Sequence, residues 1–171
     1  MNRVLLSAKV FSVERREYPQ PNGATICRDV VVHPGAVTIL PLLDEHRLVM
    51  IRNRRHVVEC DLLELPAGTL EPPETPAQCA GRELQEETGY QAETITPLCE
   101  FFTTPGICTE RMWSFTARNL TQTQQRLEAD EHIEVCLLDI QQVRTMMKQG
   151  QIQDGKTLAV LGTFFLRAQD A

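Results

Sequence analysis

The sequence contains no long run of apolar residues. No stretch approaches the roughly 20 apolar residues that a membrane-spanning helix requires. At the N-terminus the only apolar stretch is short, at residues 4–6, and charged residues follow at once. A secretory signal needs a longer apolar region, so we expect a cytoplasmic protein that binds no membrane.

The sequence also lacks any pair of cysteines in the C-x-x-C spacing. Its six cysteines are an even number, so a disulfide framework is one interpretation. A chain of 171 residues buries enough apolar surface to fold without disulfides. We therefore predict reduced, mostly buried thiols at the six positions, which are Cys27, Cys60, Cys79, Cys99, Cys108 and Cys136.

Positive charge is scarce, because 17 Lys and Arg residues stand against 23 Asp and Glu residues, a formal net charge of −6. This balance argues against a nucleic acid partner, since duplexes are bound by basic surfaces. It is compatible with a phosphate substrate, because clustered carboxylates bind Mg²⁺ and the metal then binds the phosphate. The length and the hydrophobic share of 42% are typical of one globular domain.

Apolar periodicity predicts an α/β fold. Segments rich in Val, Ile and Leu between Gly, Pro and Asp joints predict strands, and apolar residues at helical spacing predict helices. The two kinds of element interleave without a regular βαβ rhythm, which favours a mixed sheet between helices. The predicted strands are residues 4–14, 27–33, 36–43, 47–52, 94–103, 110–118 and 132–138, and the predicted helices are residues 75–88, 140–148 and 155–168.

The central predicted helix has signals at both ends. Thr75 stands at the N-cap, Pro76 occupies the first helical position, and Gln78 completes a capping box. Gly89 supplies the left-handed residue that ends the helix. The spacing predicts a core face made of Ala77, Ala80, Leu84 and Thr88.

This helix carries three glutamates close together, Glu83, Glu86 and Glu87. Glu83 and Glu87 are one turn apart on the same side, and like charges at that spacing destabilise a helix. Arg82 is placed to pair with Glu86, which leaves Glu83 and Glu87 as oxygen ligands for a hard cation. The alternative is a solvated acidic face, which is common on Glu-rich helices.

Residues 68–90 form the run GTLEPPETPAQCAGRELQEETGY. It fits the pattern G-x5-E-x7-R-E-U-x-E-E-x-G-U at every fixed position, where U is a bulky apolar residue, and so resembles the Nudix box. The resemblance implies a Nudix-type α/β/α sandwich with a mixed β-sheet and a small N-terminal antiparallel sheet. It assigns residues 1–35 to N-terminal strands that mediate dimerisation and residues 36–171 to a hydrolase domain.

In Nudix hydrolases this box binds Mg²⁺ or Mn²⁺, and the resemblance implies a role for each matching residue. Arg82 matches the residue that orients the carboxylates, and Glu74 matches the acid that braces loop and helix. Gly68 allows close approach of the backbone to the metal. The metal ligands implied are the Ala67 carbonyl, Glu83 and Glu87, with Glu86 joining directly or through water. Arg82 and Glu86 are also expected among the catalytic residues.

Flanking residues resemble those of ADP-ribose pyrophosphatases and related nucleotide-sugar hydrolases. Residues 64–68 form the sequence ELPAG, and Pro105 lies fifteen residues past the box, an offset typical of that subgroup. Arg55 matches an arginine that clamps phosphate or the terminal ribose, although the preceding Gln and aromatic residue of relatives are missing. The alternative is that Arg52 and Arg55 are surface charges. The predicted substrate contacts are Arg28, Arg52, Arg55, Glu64 and Pro105.

A second acidic cluster lies at residues 128–135. In similar enzymes a mobile loop at this place supplies a catalytic glutamate. Glu131 is the predicted base, because it directly precedes an apolar, strand-like run, and Glu128 is the alternative. The remaining interpretation is a plain polar turn.

The resemblance implies a Mg²⁺-dependent homodimer that hydrolyses ADP-ribose, a nucleoside diphosphate sugar, to AMP and ribose 5-phosphate. The alternatives are another nucleoside diphosphate sugar, such as GDP-mannose, and a catalytically silent nucleotide-sensing Nudix module. A silent module predicts a decayed box, whereas all three box glutamates are present here. Nothing outside the box indicates an isomerase, and the net charge disfavours an RNA-decapping function.

Overall fold

The computed structural model of the protein describes residues 2–129 and 131–168. The predicted N-terminal segment, residues 1–35, and the predicted hydrolase domain, residues 36–171, include residue 1 and residues 169–171, which lie outside this part of the chain. None of the helices described is long and apolar enough to cross a membrane. The elements in chain order are β1 (Arg3–Ser7), β2 (Ser12–Pro19), β3 (Thr25–Val32), β4 (Ala36–Pro41), β5 (Arg47–Arg55), β6 (Cys60–Glu64), β7 (Ala67–Thr69), α1 (Pro76–Thr88), β8 (Tyr90–Phe102), β9 (Arg111–Gln122), β10 (Ile133–Asp139), α2 (Ile140–Lys148) and α3 (Gly155–Arg167).

The strands form three sheets over the described residues. The first sheet has the order β1-β2-β3, the second β10-β5-β6 and the third β7-β4-β9-β8. Strands β4 and β9 run parallel, and the other paired strands of the three sheets run antiparallel. The third sheet is therefore mixed, as predicted.

Every residue of β4 is buried, because both faces of this strand are covered. Successive side chains of a strand point to opposite faces. Leu40 packs with Val160 and Leu161 of α3. On the other face, Val37 and Ile39 pack with residues of α1. Two cores on opposite sides of one strand confirm the predicted α/β/α layering.

The N-terminal sheet bonds to the segment between β8 and β9. It is attached through Val31, whose N–H donates to the Ile107 carbonyl at 2.8 Å and whose carbonyl accepts from the Thr109 N–H at 2.9 Å.

The prediction of one strand over residues 4–14 is wrong. The chain turns back between β1 and β2, with an Ala8 N–H to Phe11 carbonyl bond of 2.9 Å, and no glycine or proline marks that turn.

The predicted helix caps are confirmed in α1. The Thr75 side chain accepts from the Gln78 N–H, the Gln78 side chain accepts from the Thr75 N–H, and Gly89 adopts φ 72°. Ala77 was wrongly placed on the core face, since it is exposed and Cys79 is buried instead. All six cysteines are free thiols, as predicted, but only Cys79 is fully buried.

Candidate active site

The box glutamates of α1 differ in burial. Glu83 and Glu87 are 9% and 3% exposed, and they face β7. The Ala67 N–H donates to Glu87 Oε2 at 2.9 Å. Glu86 is more open, with a side-chain exposure of 38%. The helical spacing therefore places two buried carboxylates and one partly exposed carboxylate beside the backbone of residues 67–69.

Arg82 holds this arrangement together. Its guanidinium donates two hydrogen bonds to Glu74, at 2.7 and 3.1 Å. Its Nη1 donates to Glu83 at 2.8 Å and to Glu86 at 2.9 Å, so it binds more carboxylates than the single predicted partner. Nη2 also reaches the Thr69 carbonyl at 3.3 Å. Arg82 thus connects α1, the loop that precedes it, and β7.

Burial changes the acidity of the two inward glutamates. Burial raises the pKa of Glu83 to about 7, although Arg82 partly offsets this effect. Burial also raises the pKa of Glu87 well above its usual range, against the stabilising Ala67 N–H. Two poorly solvated carboxylates side by side form an oxygen-rich site that a divalent cation would stabilise.

Within residues 2–129 and 131–168, no three Asp, Glu, His or Cys side chains already converge as a metal-binding group. Arg82 bonds one oxygen each of Glu83 and Glu86. The donor chemistry still fits Mg²⁺ or Mn²⁺, because carboxylate and backbone oxygens are the ligands that hard cations prefer.

Gly68 creates the space that the carboxylates occupy. A Cβ at this position would lie 1.9 Å from Cδ and Oε1 of Glu83. Only glycine therefore lets the Glu83 carboxylate rest against this backbone.

The acidic segment after β9 reaches the same cleft. Glu128 and Glu131 line a cavity of about 490 Å³ together with the three box glutamates. Glu131 Oε2 accepts from the Glu128 N–H at 2.8 Å, and the Glu131 N–H donates to the Glu128 carbonyl at 3.2 Å. Both predicted candidates for the base are thus next to the carboxylates, and we name this cavity the carboxylate half of the cleft.

A second cavity of about 610 Å³ continues from the first, and we name it the distal half. The two halves share Arg55 and residues 67–69. Arg55 forms a bidentate pair with Glu64, at 2.8 Å from Nε to Oε1 and 2.6 Å from Nη2 to Oε2. The distal half is further lined by Phe101, Phe102, Thr103, Thr104, Glu110, Met112, Asp154, Lys156 and Ala159.

Comparison with known families identifies the family of this chain. The NUDIX domain family matches residues 32–161. The chain belongs to the Nudix family. The predicted family is confirmed. Nudix hydrolases generally use divalent metal ions, which agrees with the donor set.

Three relatives are similar to this chain over most of their length. The ADP-ribose pyrophosphatase of Bacillus subtilis (strain 168) is 35% identical over 155 residues, which are 90% of this chain and 84% of that protein. The methanol dehydrogenase activator of Bacillus methanolicus is 34% identical over 169 residues, 98% and 90% of the two chains. The GDP-mannose pyrophosphatase of Yersinia pestis (strain Pestoides F) is 33% identical over 150 residues, 86% and 72%.

A crystal structure of an ADP compounds hydrolase has the same fold. It aligns with a TM-score of 0.84 at 22% identity and covers 99% of this chain and 93% of that one. The predicted Nudix fold is confirmed. With the family match and the pyrophosphatase relatives, the chain is a Nudix pyrophosphohydrolase.

Some predicted substrate contacts of the Nudix chain lie outside both halves of the cleft. Arg28 is exposed on β3 and bonds the carbonyl of its neighbour Cys27 at 3.0 Å. Arg52 is exposed on β5, 3.9 Å from Glu134. Pro105 lies in the turn after β8, next to the lining residue Thr104. In this single chain they are separated from the carboxylates, and Arg55 is the predicted cation that lies beside them.

Glu110 and Lys156 are among the charged residues of the Nudix cleft that were not predicted. Glu110 accepts from Thr103 Oγ1 at 2.6 Å and lies 3.7 Å from His33 Nδ1. No motif marks Glu110, and one of its neighbours, His33, comes from a distant part of the chain. The sequence did contain an indication of Lys156, because residues 151–157 resemble the segment that opens the last helix in relatives.

We predict that Gly68→Ala lowers activity without unfolding the protein. Gly68 does not adopt a positive φ, so alanine is allowed by the backbone. The methyl group displaces the carboxylate of Glu83, which is the mobile end of a side chain. We expect turnover with Mg²⁺ to fall at least about tenfold and the melting temperature to change little, measured by steady-state kinetics and thermal unfolding. A large drop in melting temperature would contradict this account.

We predict that the Glu74–Arg82 pair stabilises the protein in a pH-dependent way. The Arg82 hydrogen bonds lower the pKa of Glu74 to about 2. A carboxyl with a depressed folded-state pKa adds stability above its unfolded pKa, about 4.5, and loses it as the pH falls towards 2. Glu74→Gln should cost about 1 kcal/mol at pH 7, because Arg82 stays partly solvated. Denaturant melts at pH 7 and pH 3 should show a smaller difference at the lower pH.

Proposed function

We propose that this Nudix pyrophosphohydrolase hydrolyses ADP-ribose, with Mg²⁺, to AMP and ribose 5-phosphate. The observation that carries the proposal is the position of Arg55, which lies between the carboxylate half and the distal half. A diphosphate beside the carboxylates meets this guanidinium, while the group beyond it enters the distal half. The similarity to an ADP-ribose pyrophosphatase supports this choice of substrate.

Glu83 and Glu87 would hold the cation, with Glu86 and the Ala67 carbonyl completing its ligands. When bound, the cation neutralises phosphate oxygens and lowers the pKa of a water molecule. Arg82 positions the carboxylates, since it bonds both Glu83 and Glu86.

The remaining roles belong to residues around the diphosphate. Arg55 binds it with the guanidinium donors that face away from Glu64. Glu131 accepts the proton of a water molecule that attacks one phosphorus in line with the anhydride oxygen. The bond between that phosphorus and the bridging oxygen breaks, and the bridging oxygen leaves on the other phosphate. One water is consumed, and two monophosphates result.

GDP-mannose is the second candidate substrate. The similarity to a GDP-mannose pyrophosphatase favours it, and the chemistry at the diphosphate would be the same. The intact set of Glu83, Glu86 and Glu87 speaks against a silent sensing module.

A substrate panel tests the proposal. Purified protein with Mg²⁺ is given ADP-ribose, GDP-mannose and other nucleoside diphosphate sugars, and the products are separated by ion-exchange chromatography. We expect the highest kcat/KM for ADP-ribose, AMP and ribose 5-phosphate in equal amounts, and no turnover in EDTA. Fast cleavage of GDP-mannose beside inert ADP-ribose would contradict the proposed substrate.

We also propose that the N-terminal sheet forms a homodimer interface. Val4, Leu5 and Leu6 of β1 are 59%, 41% and 53% exposed, and Val10 and Phe11 in the following turn are also exposed. A cluster of exposed apolar side chains on an edge strand is typical of a protein–protein interface.

The dimer is tested with a double variant, Val4→Asp with Leu6→Asp. Two buried charges at an apolar interface are unfavourable, so we expect the mass in light scattering after size exclusion to halve. Leu166→Asp is the matched control, because Leu166 is 65% exposed on α3. An unchanged mass in the double variant, or a monomeric wild type, would refute the interface.

A further inference from the structure

Four charged side chains form a connected group beside the cleft: Arg55 lines both halves, Asp154 and Lys156 line the distal half, and Glu64 is buried behind them. The Arg55–Glu64 pair is one component. Lys156 Nζ lies 2.6 Å from Asp154 Oδ1 and 3.8 Å from Glu64 Oε2. The order Arg55, Glu64, Lys156, Asp154 alternates in sign, so the group as a whole is neutral.

Glu64 is the least solvated member, with no exposed side-chain area. A fully buried carboxylate is costly unless cations and donors compensate it. Arg55 occupies both of its oxygens, and its own side chain is 39% exposed. Lys156, which is 24% exposed, is the second cation beside the same carboxylate. The negative charge of Glu64 is thus shared by two cations.

Lys156 is held in place by the start of α3. Asp154 caps this helix and accepts from the Thr157 N–H at 2.9 Å and from Thr157 Oγ1 at 2.8 Å. Thr157 Oγ1 also accepts from the Leu65 N–H at 2.8 Å. The lysine is therefore at a defined position relative to Glu64, the neighbour of Leu65.

The pairing of Arg55 leaves one side of its guanidinium free. A guanidinium has five N–H donors, and the edge that carries Nε and one hydrogen of Nη2 is used on Glu64. Arg55 lines both halves of the cleft, so a ligand bound there can meet the remaining donors. How strongly they attract a diphosphate depends on how much of the arginine charge Glu64 neutralises.

We propose that Lys156 is a positioning residue for substrate binding: it shares the buried charge of Glu64 and so leaves Arg55 free to bind the diphosphate. This inference rests on the proposed function, because it requires a diphosphate ligand in the cleft. It also gives Glu64 a role without direct contact, since Glu64 acts on the ligand through Arg55.

A double-mutant cycle tests the inference. Lys156→Met and Glu64→Gln are made singly and together, and binding of ADP-ribose is measured by calorimetry in EDTA, so that no turnover occurs. We expect Lys156→Met to weaken binding about tenfold in the wild-type background. In the Glu64→Gln background the effect should be below about twofold, since a neutral side chain has no charge to share. Lys156→Arg should restore binding.

Two controls separate this role from a structural one. Lys148→Met removes an exposed lysine at the end of α2 and should leave binding unchanged. Melting temperatures show whether each variant is folded, and a loss of packing alone would not depend on the residue at position 64. Equal weakening in both backgrounds would mean that Lys156 acts independently of Glu64, either by contacting the ligand or by neutralising Asp154, and no weakening would mean that it has no role. Either result overturns the inference.

A failure of the proposed function can be distinguished from a failure of the role proposed for Lys156. If the wild-type protein neither binds nor hydrolyses ADP-ribose or GDP-mannose, the substrate class is wrong and the role of Lys156 falls with it. If the wild-type protein binds ADP-ribose but the cycle is additive, only the role of Lys156 is wrong.

Discussion

Glu83→Gln should reduce kcat with Mg²⁺ by more than about 100-fold, because it removes a metal ligand and losses of even outer-shell partners cost 10–100-fold. The glutamine keeps the size of the side chain but not its charge. Burial already raises the pKa of Glu83 to about 7, so the neutral variant costs the fold little. We therefore expect an unchanged or higher melting temperature without metal, together with weaker Mg²⁺ binding by calorimetry.

The matched control variant replaces a glutamate outside the active site. Glu45→Gln changes an exposed residue between β4 and β5 and should leave kcat unaltered. Equal turnover of wild type and Glu83→Gln would refute the role of α1 in metal binding. If both were inactive and still bound nucleotide, the silent-module alternative would replace the enzyme.

Glu131→Gln should lower kcat by about 10²–10⁴-fold, the usual contribution of a general base. The amide oxygen can still accept from the Glu128 N–H, so the loop geometry should persist. KM for ADP-ribose should change little, because the diphosphate is bound by other residues. The measurement is kcat at saturating ADP-ribose with Mg²⁺.

Glu128→Gln is the matched control, since both residues line the carboxylate half. Glu128 is exposed and lies 3.9 Å from Lys9, a contact weak enough to lose without consequence. We expect less than about a tenfold effect for this variant. The reverse order of effects would make Glu128 the base, and two small effects would leave the loop with no catalytic role.

Much of the site could be predicted because its signals are local. A capping box and a left-handed glycine act over three or four residues, so α1 was placed correctly. The spacing of Glu83 and Glu87 fixed their common face for the same reason. The missed strands β6 and β7 are short, and β7 has only three residues, which no alternation pattern can reveal.

The sequence by itself determined the capped helix, the order of its carboxylates and the family. Each depends on neighbours within a turn of helix or on a motif of fixed spacing. Tertiary structure alone decided that Glu64 is buried under Arg55 and that Lys156, 92 residues further along, stands beside it. Such pairs depend on the order of the strands and on how α3 packs against them, because long-range contacts form only when the whole fold closes.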